Sequence, residues 1–201
     1  MLHKWSIDTK SMSRYYEPFY STSANGATQQ RTSDNVVHLA PDSALTAFAQ
    51  LGVIRLQARR SFVTFFDRTT QYVFAEATRS LSLQTGAVDD HLDALLRGSV
   101  ALPRSSTYCE HVAGATIHLQ PSDLADGPPV TVIPDLTESP LFRHTVAHFP
   151  QPQPRFYCGV PIMSPEGFAI GVYCVLDDTP RAGLEPWQIT MLKDMVSSTT
   201  F

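Results

Sequence analysis

Three neighbouring side chains, Cys109-Glu110-His111, belong to the types that carry out most thiol and metal chemistry. A Cys-x-His pair can supply two metal ligands, whereas a tetrahedral zinc site needs two more. His118 is the nearest further candidate, and no fourth ligand stands at a usual spacing. We therefore predict no metal site and no cofactor here, but a short capped helix that buries Cys109 at the rim of a binding chamber.

The remaining cysteines, Cys158 and Cys174, lie in two consecutive β-forming runs. Paired strands could place them side by side on one sheet face, which would allow a redox pair. The alternative, which we favour, is core packing, because free cysteines are among the most buried residues. Three widely spaced cysteines do not indicate a disulfide framework, and they are typical of a reducing, cytoplasmic location.

Two long apolar runs, 155–163 and 168–176, must form the centre of a sheet, separated by the turn at 164–167. Strand periodicity places alternate residues on one face. In the first run that face carries Phe156, Cys158, Val160 and Ile162, and in the second it carries Phe168, Ile170, Val172, Cys174 and Leu176. The opposite face of the second run is also apolar, which predicts a central strand covered on both sides.

The rest of the chain supplies helices at both ends and shorter elements between them. The pattern predicts a helix from Pro41 to Arg59–Arg60, an antiparallel hairpin from the runs 61–66 and 71–77, and a last helix starting at Glu185. Between them it predicts short helices at 89–96 and 105–112, a loop at 121–129 and a short strand at 130–133. This order indicates an α+β fold with an antiparallel sheet of five to six strands and the N- and C-terminal helices packed on one face.

Composition limits the partners and the domain organisation. The chain has 201 residues with a formal net charge of −4, which argues against nucleic acid, and it has no apolar run long enough to span a membrane. Residues 1–40 are rich in Ser, Thr, Asn and Gln and are expected to form a mostly disordered polar tail. A single domain is expected over 41–201.

The C-terminal segment 155–184, RFYCGVPIMSPEGFAIGVYCVLDDTPRAGL, resembles the corresponding half of a GAF domain. The segments 102–111 and 132–137 are similar to the upstream motifs of that family, and 58–83 resembles the version found in fungal hybrid sensor histidine kinases. The resemblance covers residues 41–200. It implies a GAF-like, PAS-related fold, and a sensory module of a two-component phosphorelay kinase that binds a small molecule or forms a homodimer through its terminal helices.

The resemblance also implies a ligand chamber with a largely apolar lining and a few polar groups. Its candidate residues are Ser105, Tyr108, Cys109, His111, Asp135, Phe142, Arg155, Tyr157 and Tyr173. Asp135 has an equally good explanation as a cap after Pro134, and Arg155 as its ion-pair partner. The chamber implies no catalytic residue, although a small cysteine-dependent redox enzyme, of the free methionine sulfoxide reductase type, is the alternative.

Overall fold

The computed structural model describes residues 40, 42–104, 107–116, 124–143 and 152–197. Residues 1–39 of the predicted polar tail, the candidate site residue Ser105 and His118 lie outside these residues. Within them the chain forms these elements in order: α1 (Ser43–Leu56), β1 (Arg60–Phe66), β2 (Thr70–Thr78), β3 (Val100–Pro103), α2 (Tyr108–Gly114), β4 (Thr131–Ile133), β5 (Phe156–Met163), β6 (Ala169–Asp177) and α3 (Pro186–Ser197).

All six strands join one sheet in the order β3-β2-β1-β6-β5-β4. Each neighbouring pair is antiparallel. Helices α1 and α3 pack on one face of the sheet, and α2 covers the other face, so that the central strand β6 is buried on both sides. The predicted α+β architecture, with five to six antiparallel strands and both terminal helices on one face, is confirmed.

Local interactions and backbone conformation determine where helix α1 begins and ends. The Asp42 carboxylate accepts hydrogen bonds from the N–H groups of Ala44 and Leu45, at 2.8 and 3.2 Å, and so satisfies donors of the first turn. At the other end Gln57 adopts a left-handed conformation with φ 51°, which stops the helix. The prediction that the helix continues to Arg59–Arg60 was therefore wrong, and Arg60 is the first residue of β1.

An irregularity between β5 and β6 changes which residues share a face. Ile162 pairs with Gly171 and Met163 with Ala169, so Ile170 has no partner in the ladder. This extra residue reverses which face of the sheet each side chain on its N-terminal side points to. Ile170 consequently packs with the α1 and α3 core rather than with Val172, and Phe168 precedes the strand and is exposed. The predicted common face of the second run was wrong at these two positions.

The middle of the chain is more ordered than the pattern indicated. Residues 100–103 form the edge strand β3 beside β2, which the sequence analysis treated as irregular. Its proline ends the strand at the sheet's edge, where a missing N–H is tolerated. The helix predicted at 89–96 is only a short 3-10 turn, His91–Asp93, and the helix predicted at 105–112 is the seven-residue α2.

Candidate functional site

The face of the sheet beneath α2 holds a closed aromatic cluster. The Tyr108 ring lies edge-on to Phe142 and Tyr157, with centroids 5.0 and 5.7 Å apart. All three side chains are buried. The sequence therefore identified residues that converge from α2, from the turn after β4 and from β5, although they fill the space between these elements rather than line an open chamber.

The thiols of Cys109 and Cys174 meet at the bottom of this cluster. Their Sγ atoms lie 3.7 Å apart, and the Tyr157 hydroxyl donates to Cys109 Sγ at 3.8 Å. The hydrogen bond between Cys109 and Cys174 lowers the pKa of Cys109, against the opposing effect of burial. The same bond, together with burial, raises the pKa of Cys174 well above its ordinary value. Within the pair Cys109 is therefore the more acidic thiol and Cys174 the less acidic one.

Cys158 lies on the opposite face of the sheet. It pairs with Val175 in the β5–β6 ladder, whereas Cys174 pairs with Gly159. Neighbouring residues of a strand point to opposite faces, so Cys158 packs beneath the terminal helices and Cys174 beneath α2. The prediction that these two cysteines could be neighbours on one face was wrong. Burial raises the pKa of Cys158 to about 12.

The polar candidates Asp135 and Arg155 form an ion pair with each other. Arg155 Nε donates to Asp135 Oδ1 at 2.9 Å, and its Nη2 bonds the second carboxylate oxygen. Asp135 also accepts hydrogen bonds from the N–H and hydroxyl groups of Thr137. The carboxylate therefore caps the turn after β4 and fixes the start of β5. This is the role as a cap that the sequence analysis gave as the alternative to ligand contact.

Two further candidates do not join the cluster. The His111 side chain is exposed on α2 and lies edge-on to Phe142, with centroids 4.9 Å apart, while Cys109 faces the sheet. The Cys-x-His pair therefore does not converge on one point. Tyr173 faces the terminal helices, where its hydroxyl donates to the Ala49 carbonyl at 3.0 Å, so it does not line the α2 face.

Open space lies at the far end of β5, where the sequence analysis placed no candidate. A cleft of about 680 Å³ is bounded by the end of α2, the β5–β6 turn, the segment before β4 and the end of α3. The described residues that line it are Arg104, Ala113, Thr116, Leu124, Gly127, Pro128, Met163, Ser164, Pro165, Glu166, Gly167, Phe168, Ala169 and Ser197. The turn 164–167 was recognised as a family motif, but sequence alone gives no measure of the space beside it.

The cleft carries mixed polarity and few groups capable of catalysis. Its described lining includes neither cysteine nor histidine. Arg104 contributes the only guanidinium of that lining, and this group pairs with Glu110, donates to the Asp67 carbonyl at 2.9 Å and lies 4.7 Å from the Phe66 ring centroid. Such a wall of apolar surface with a few fixed polar atoms suits binding. The Asp135–Arg155 pair stands at the opposite end of β5, about 23 Å away by strand geometry.

A sheet with terminal helices on one face, and with a short helix and a cleft on the other, defines an α+β domain built on one antiparallel sheet. The model of the GAF domain family matches residues 40–199, so the chain belongs to the GAF domain family. A cyclic di-GMP phosphodiesterase of Pseudomonas aeruginosa is 28% identical over 149 residues. That match covers 72% of this chain, and the chain spans only 22% of the relative's length.

Solved structures confirm the fold. The chromophore-binding domain of an unusual bacteriophytochrome from R. palustris gives a TM-score of 0.53 at 15% identity, over 79% of this chain and 55% of that one. A type II free methionine-R-sulfoxide reductase from Thermoplasma acidophilum gives 0.50 at 14% identity, over 77% and 85%. At these identities the similarity concerns the fold alone. None of the described helices combines the length and the hydropathy required for a membrane span.

Proposed function

We propose that this chain is a regulatory sensory module that binds a small molecule in the cleft at the β5–β6 turn and has no catalytic centre of its own. One observation carries the proposal. The cleft is bounded both by the α2 face and by Ser197, in the last turn of α3. A ligand there would contact the helix through which a GAF domain can influence whatever follows it.

The segment before β4 provides the mechanical link between the cleft and α3. Gly127 and Pro128 line the cleft, and the carbonyl of the preceding Asp126 accepts a hydrogen bond from Lys193 Nζ at 2.9 Å. A ligand that favours one position of this segment also favours one position of α3. Such a ligand shifts the equilibrium only by its difference in affinity for the two arrangements.

Homodimerisation through the terminal helices is part of the proposal. Leu51 and Ile54, about one turn apart on α1, and Trp187 on α3 are 47%, 54% and 50% exposed, and apolar residues grouped on one surface mark interaction sites. The Arg55 guanidinium lies 5.7 Å from the Trp187 ring centroid, so the two helices meet at this surface. A second copy of the chain placed here would bring two output segments together.

The output is proposed to be a two-component phosphorelay histidine kinase, as in the fungal hybrid kinases that the sequence resembles. The test replaces the sensory module of such a kinase with this chain and measures autophosphorylation. A compound that binds the cleft should change the rate in the fusion. The change should be smaller in a fusion carrying Lys193→Met, which removes the bond from α3 to the segment at the cleft.

The redox-enzyme alternative fits the structure less well. A sulfoxide reductase must bring a thiol to its substrate, and the side chains of Cys109 and Cys174 are 5% and 3% exposed beneath α2. Neither cysteine lines the cleft. Space for a small molecule and the candidate nucleophile are therefore in different places, which supports binding over turnover.

The binding proposal is tested by thermal unfolding with a panel of nucleotides, tetrapyrroles and small metabolites. A ligand at a hundred times its dissociation constant should raise the melting temperature by about 5–10 °C. Phe168→Ala, which removes an exposed ring from the cleft, should reduce the shift. Leu141→Ala removes a similarly exposed side chain outside the cleft and should not. Equal shifts in both variants would place the binding site elsewhere.

A further inference from the structure

The contact between Cys109 and Cys174 has no role in the proposed binding function. Sixty-five residues separate the two in sequence, and only the docking of α2 on β6 brings their Sγ atoms to 3.7 Å. Both thiols are buried. A disulfide needs an S–S distance of about 2.05 Å, so the two atoms must approach by about 1.7 Å. Helix α2 can supply that movement, because β6 is held between β1 and β5.

The surroundings of the pair are unequal and polar. The Tyr157 hydroxyl donates to Cys109 Sγ at 3.8 Å, and the side chains of Cys174, Tyr157, Thr64 and Gln71 all act to lower the pKa of Cys109. Either sulfur can donate in the contact between Cys109 and Cys174, and this contact raises the pKa of Cys174. Thiolate character determines which cysteine attacks an electrophile first. The lower pKa of Cys109 marks it as the attacking sulfur, and the 3.7 Å contact places a second sulfur beside it.

The Gln71 side chain gives an independent indication. It is 4% exposed, and among the described residues its Oε1 atom has no hydrogen-bond partner. A buried amide oxygen without a donor costs stability, so its presence beside Cys109 needs an explanation. Oxidation of Cys109 to a sulfenic acid would create an S–OH donor within reach of this side chain.

We propose that Cys109 and Cys174 form a reversible oxidation site whose oxidant is hydrogen peroxide, a molecule small enough to reach buried thiols that a larger substrate such as methionine sulfoxide does not reach. The Cys109 thiolate attacks one peroxide oxygen; an S–O bond forms, the O–O bond breaks, and the departing hydroxide takes a proton to become water. Cys174 then attacks the Cys109 sulfur, the S–S bond forms, and hydroxide leaves with the Cys174 proton as water. Two thiols lose two electrons, the peroxide gains them, and a small dithiol reverses the change.

Disulfide formation draws α2 toward the sheet. The end of α2 contributes Ala113 to the cleft wall, so oxidation changes the shape of the proposed ligand site. This coupling rests on the proposed binding function, whereas the disulfide itself does not. The two claims therefore need separate measurements.

Hydrogen peroxide is the probe for the first measurement, applied to the reduced full chain before thiols are blocked under denaturing conditions. Trypsin alone is insufficient, because no Lys or Arg separates Cys158 from Cys174 within 156–181. Additional cleavage after Glu166 separates them. Mass spectrometry should then find the Cys109 and Cys174 peptides joined, with the loss of two hydrogens, and dithiothreitol should release them.

Three serine variants complete the test. Cys158→Ser should form the disulfide at the wild-type rate, because that thiol is on the other face. In Cys174→Ser the yield of disulfide-linked peptide should fall more than about tenfold, and a sulfenic acid that reacts with dimedone should accumulate at Cys109. Cys109→Ser should lose both products. Circular dichroism of each variant establishes that it is folded, and the wild-type peptide map stands even if a variant does not fold.

Several results would overturn the proposal. These are a disulfide that includes Cys158, a cross-link between chains instead of within one, or no intramolecular disulfide in the folded wild-type chain. If no ligand stabilises the reduced chain while peroxide still forms the disulfide, that result would contradict the binding function alone. A disulfide that leaves ligand affinity unchanged would contradict only the coupling between the two sites.

Discussion

Glu76 and Arg60 form an ion pair inside the sheet, with Glu76 Oε1 2.7 Å from Arg60 Nη1 and side chains that are 0% and 7% exposed. The Glu76 carboxylate also accepts hydrogen bonds from the backbone N–H groups of Leu96, Arg97 and Gly98, at 2.7–2.8 Å. One buried carboxylate therefore joins β1, β2 and the segment that leads into β3. Through β3 and Arg104 it supports the position of one wall of the cleft.

Substituting Glu76 by Ala is expected to lower the free energy of unfolding by about 3–5 kcal/mol, because it leaves the Arg60 charge and three N–H groups buried without their acceptor. Urea unfolding followed by circular dichroism measures this loss. Glu166→Ala, at an exposed position in the β5–β6 turn, serves as the control and should change stability by less than about 0.5 kcal/mol. Similar losses in the two variants would mean that the buried network does not hold this part of the fold.

The sheet and the terminal helices could be predicted from the sequence because their signals are local. Alternating apolar residues in 155–163 and the capping Asp42 depend only on strand and helix periodicity. The edge strand β3 was missed because four residues ending in a proline carry almost no periodic signal. Its pairing depends on β2, which lies about thirty residues earlier in the chain.

The candidate site could be predicted only in part. Tyr108, Phe142 and Tyr157, three of the nine candidates for a ligand chamber, pack together on one face of the sheet, and their role in binding stays a prediction. The contact between Cys109 and Cys174 could not be predicted, because it depends on where α2 docks and not on any spacing along a strand. Tyr173 was offered as chamber lining, and the structure places it against the terminal helices, because the sequence does not say which helices cover each of the two apolar faces of β6.

Gly52 on α1 is expected to be intolerant of a side chain. A Cβ atom built at this position would lie 1.8 Å from the Tyr173 hydroxyl, which is fixed by its bond to the Ala49 carbonyl. Gly52→Ala should therefore destabilise the domain by about 1–3 kcal/mol through overpacking, despite the better helix propensity of alanine. Thermal unfolding gives the measurement.

Gly114 on α2 provides the matched control, because a Cβ atom there meets nothing within 4 Å. Gly114→Ala should leave stability unchanged or raise it by up to about 1 kcal/mol. If Gly52→Ala were as stable as Gly114→Ala, the packing of α1 on Tyr173 would differ from that described.

The Asp135–Arg155 pair is expected to contribute to stability in a pH-dependent manner. The hydrogen bond from Arg155 lowers the pKa of Asp135 well below its usual range. In the unfolded chain an aspartate has a pKa of about 3.9. Because the folded-state pKa is lower, the ionised carboxylate stabilises the fold fully at pH values above the unfolded-state pKa, and this stabilisation is lost as the pH falls through the folded-state pKa. Asp135→Asn should accordingly be less stable than wild type at pH 7.

The measurement is the urea midpoint at pH 7 and at pH 2.5 for both chains. Wild type should lose more stability between the two pH values than Asp135→Asn does. A parallel loss in the two chains would show that this carboxylate is not selectively stabilised in the fold. Asp126→Asn, which changes an exposed side chain, controls for the loss of one negative charge.

The exposed apolar residues of the terminal helices are expected to hold two copies of the chain together. Ile54→Glu places a charge in the proposed interface and should convert a dimer into a monomer in sedimentation equilibrium, with little change in melting temperature. Leu141→Glu introduces the same charge at a residue that is 66% exposed, outside these helices, and should remain dimeric. A wild-type chain that is monomeric at all concentrations would contradict this interface.

Native mass spectrometry of the purified full chain tests the central claim most directly, because it detects a small molecule held by the folded domain without requiring its identity in advance. The account predicts a noncovalent adduct, or an adduct gained on adding a compound from the stabilising panel, that is released on denaturation. Occupancy should be retained in Leu141→Ala and reduced in Phe168→Ala. A folded chain that holds no small molecule under any of these conditions, or one whose adduct is unaffected by Phe168→Ala, would contradict a sensory cleft at the β5–β6 turn.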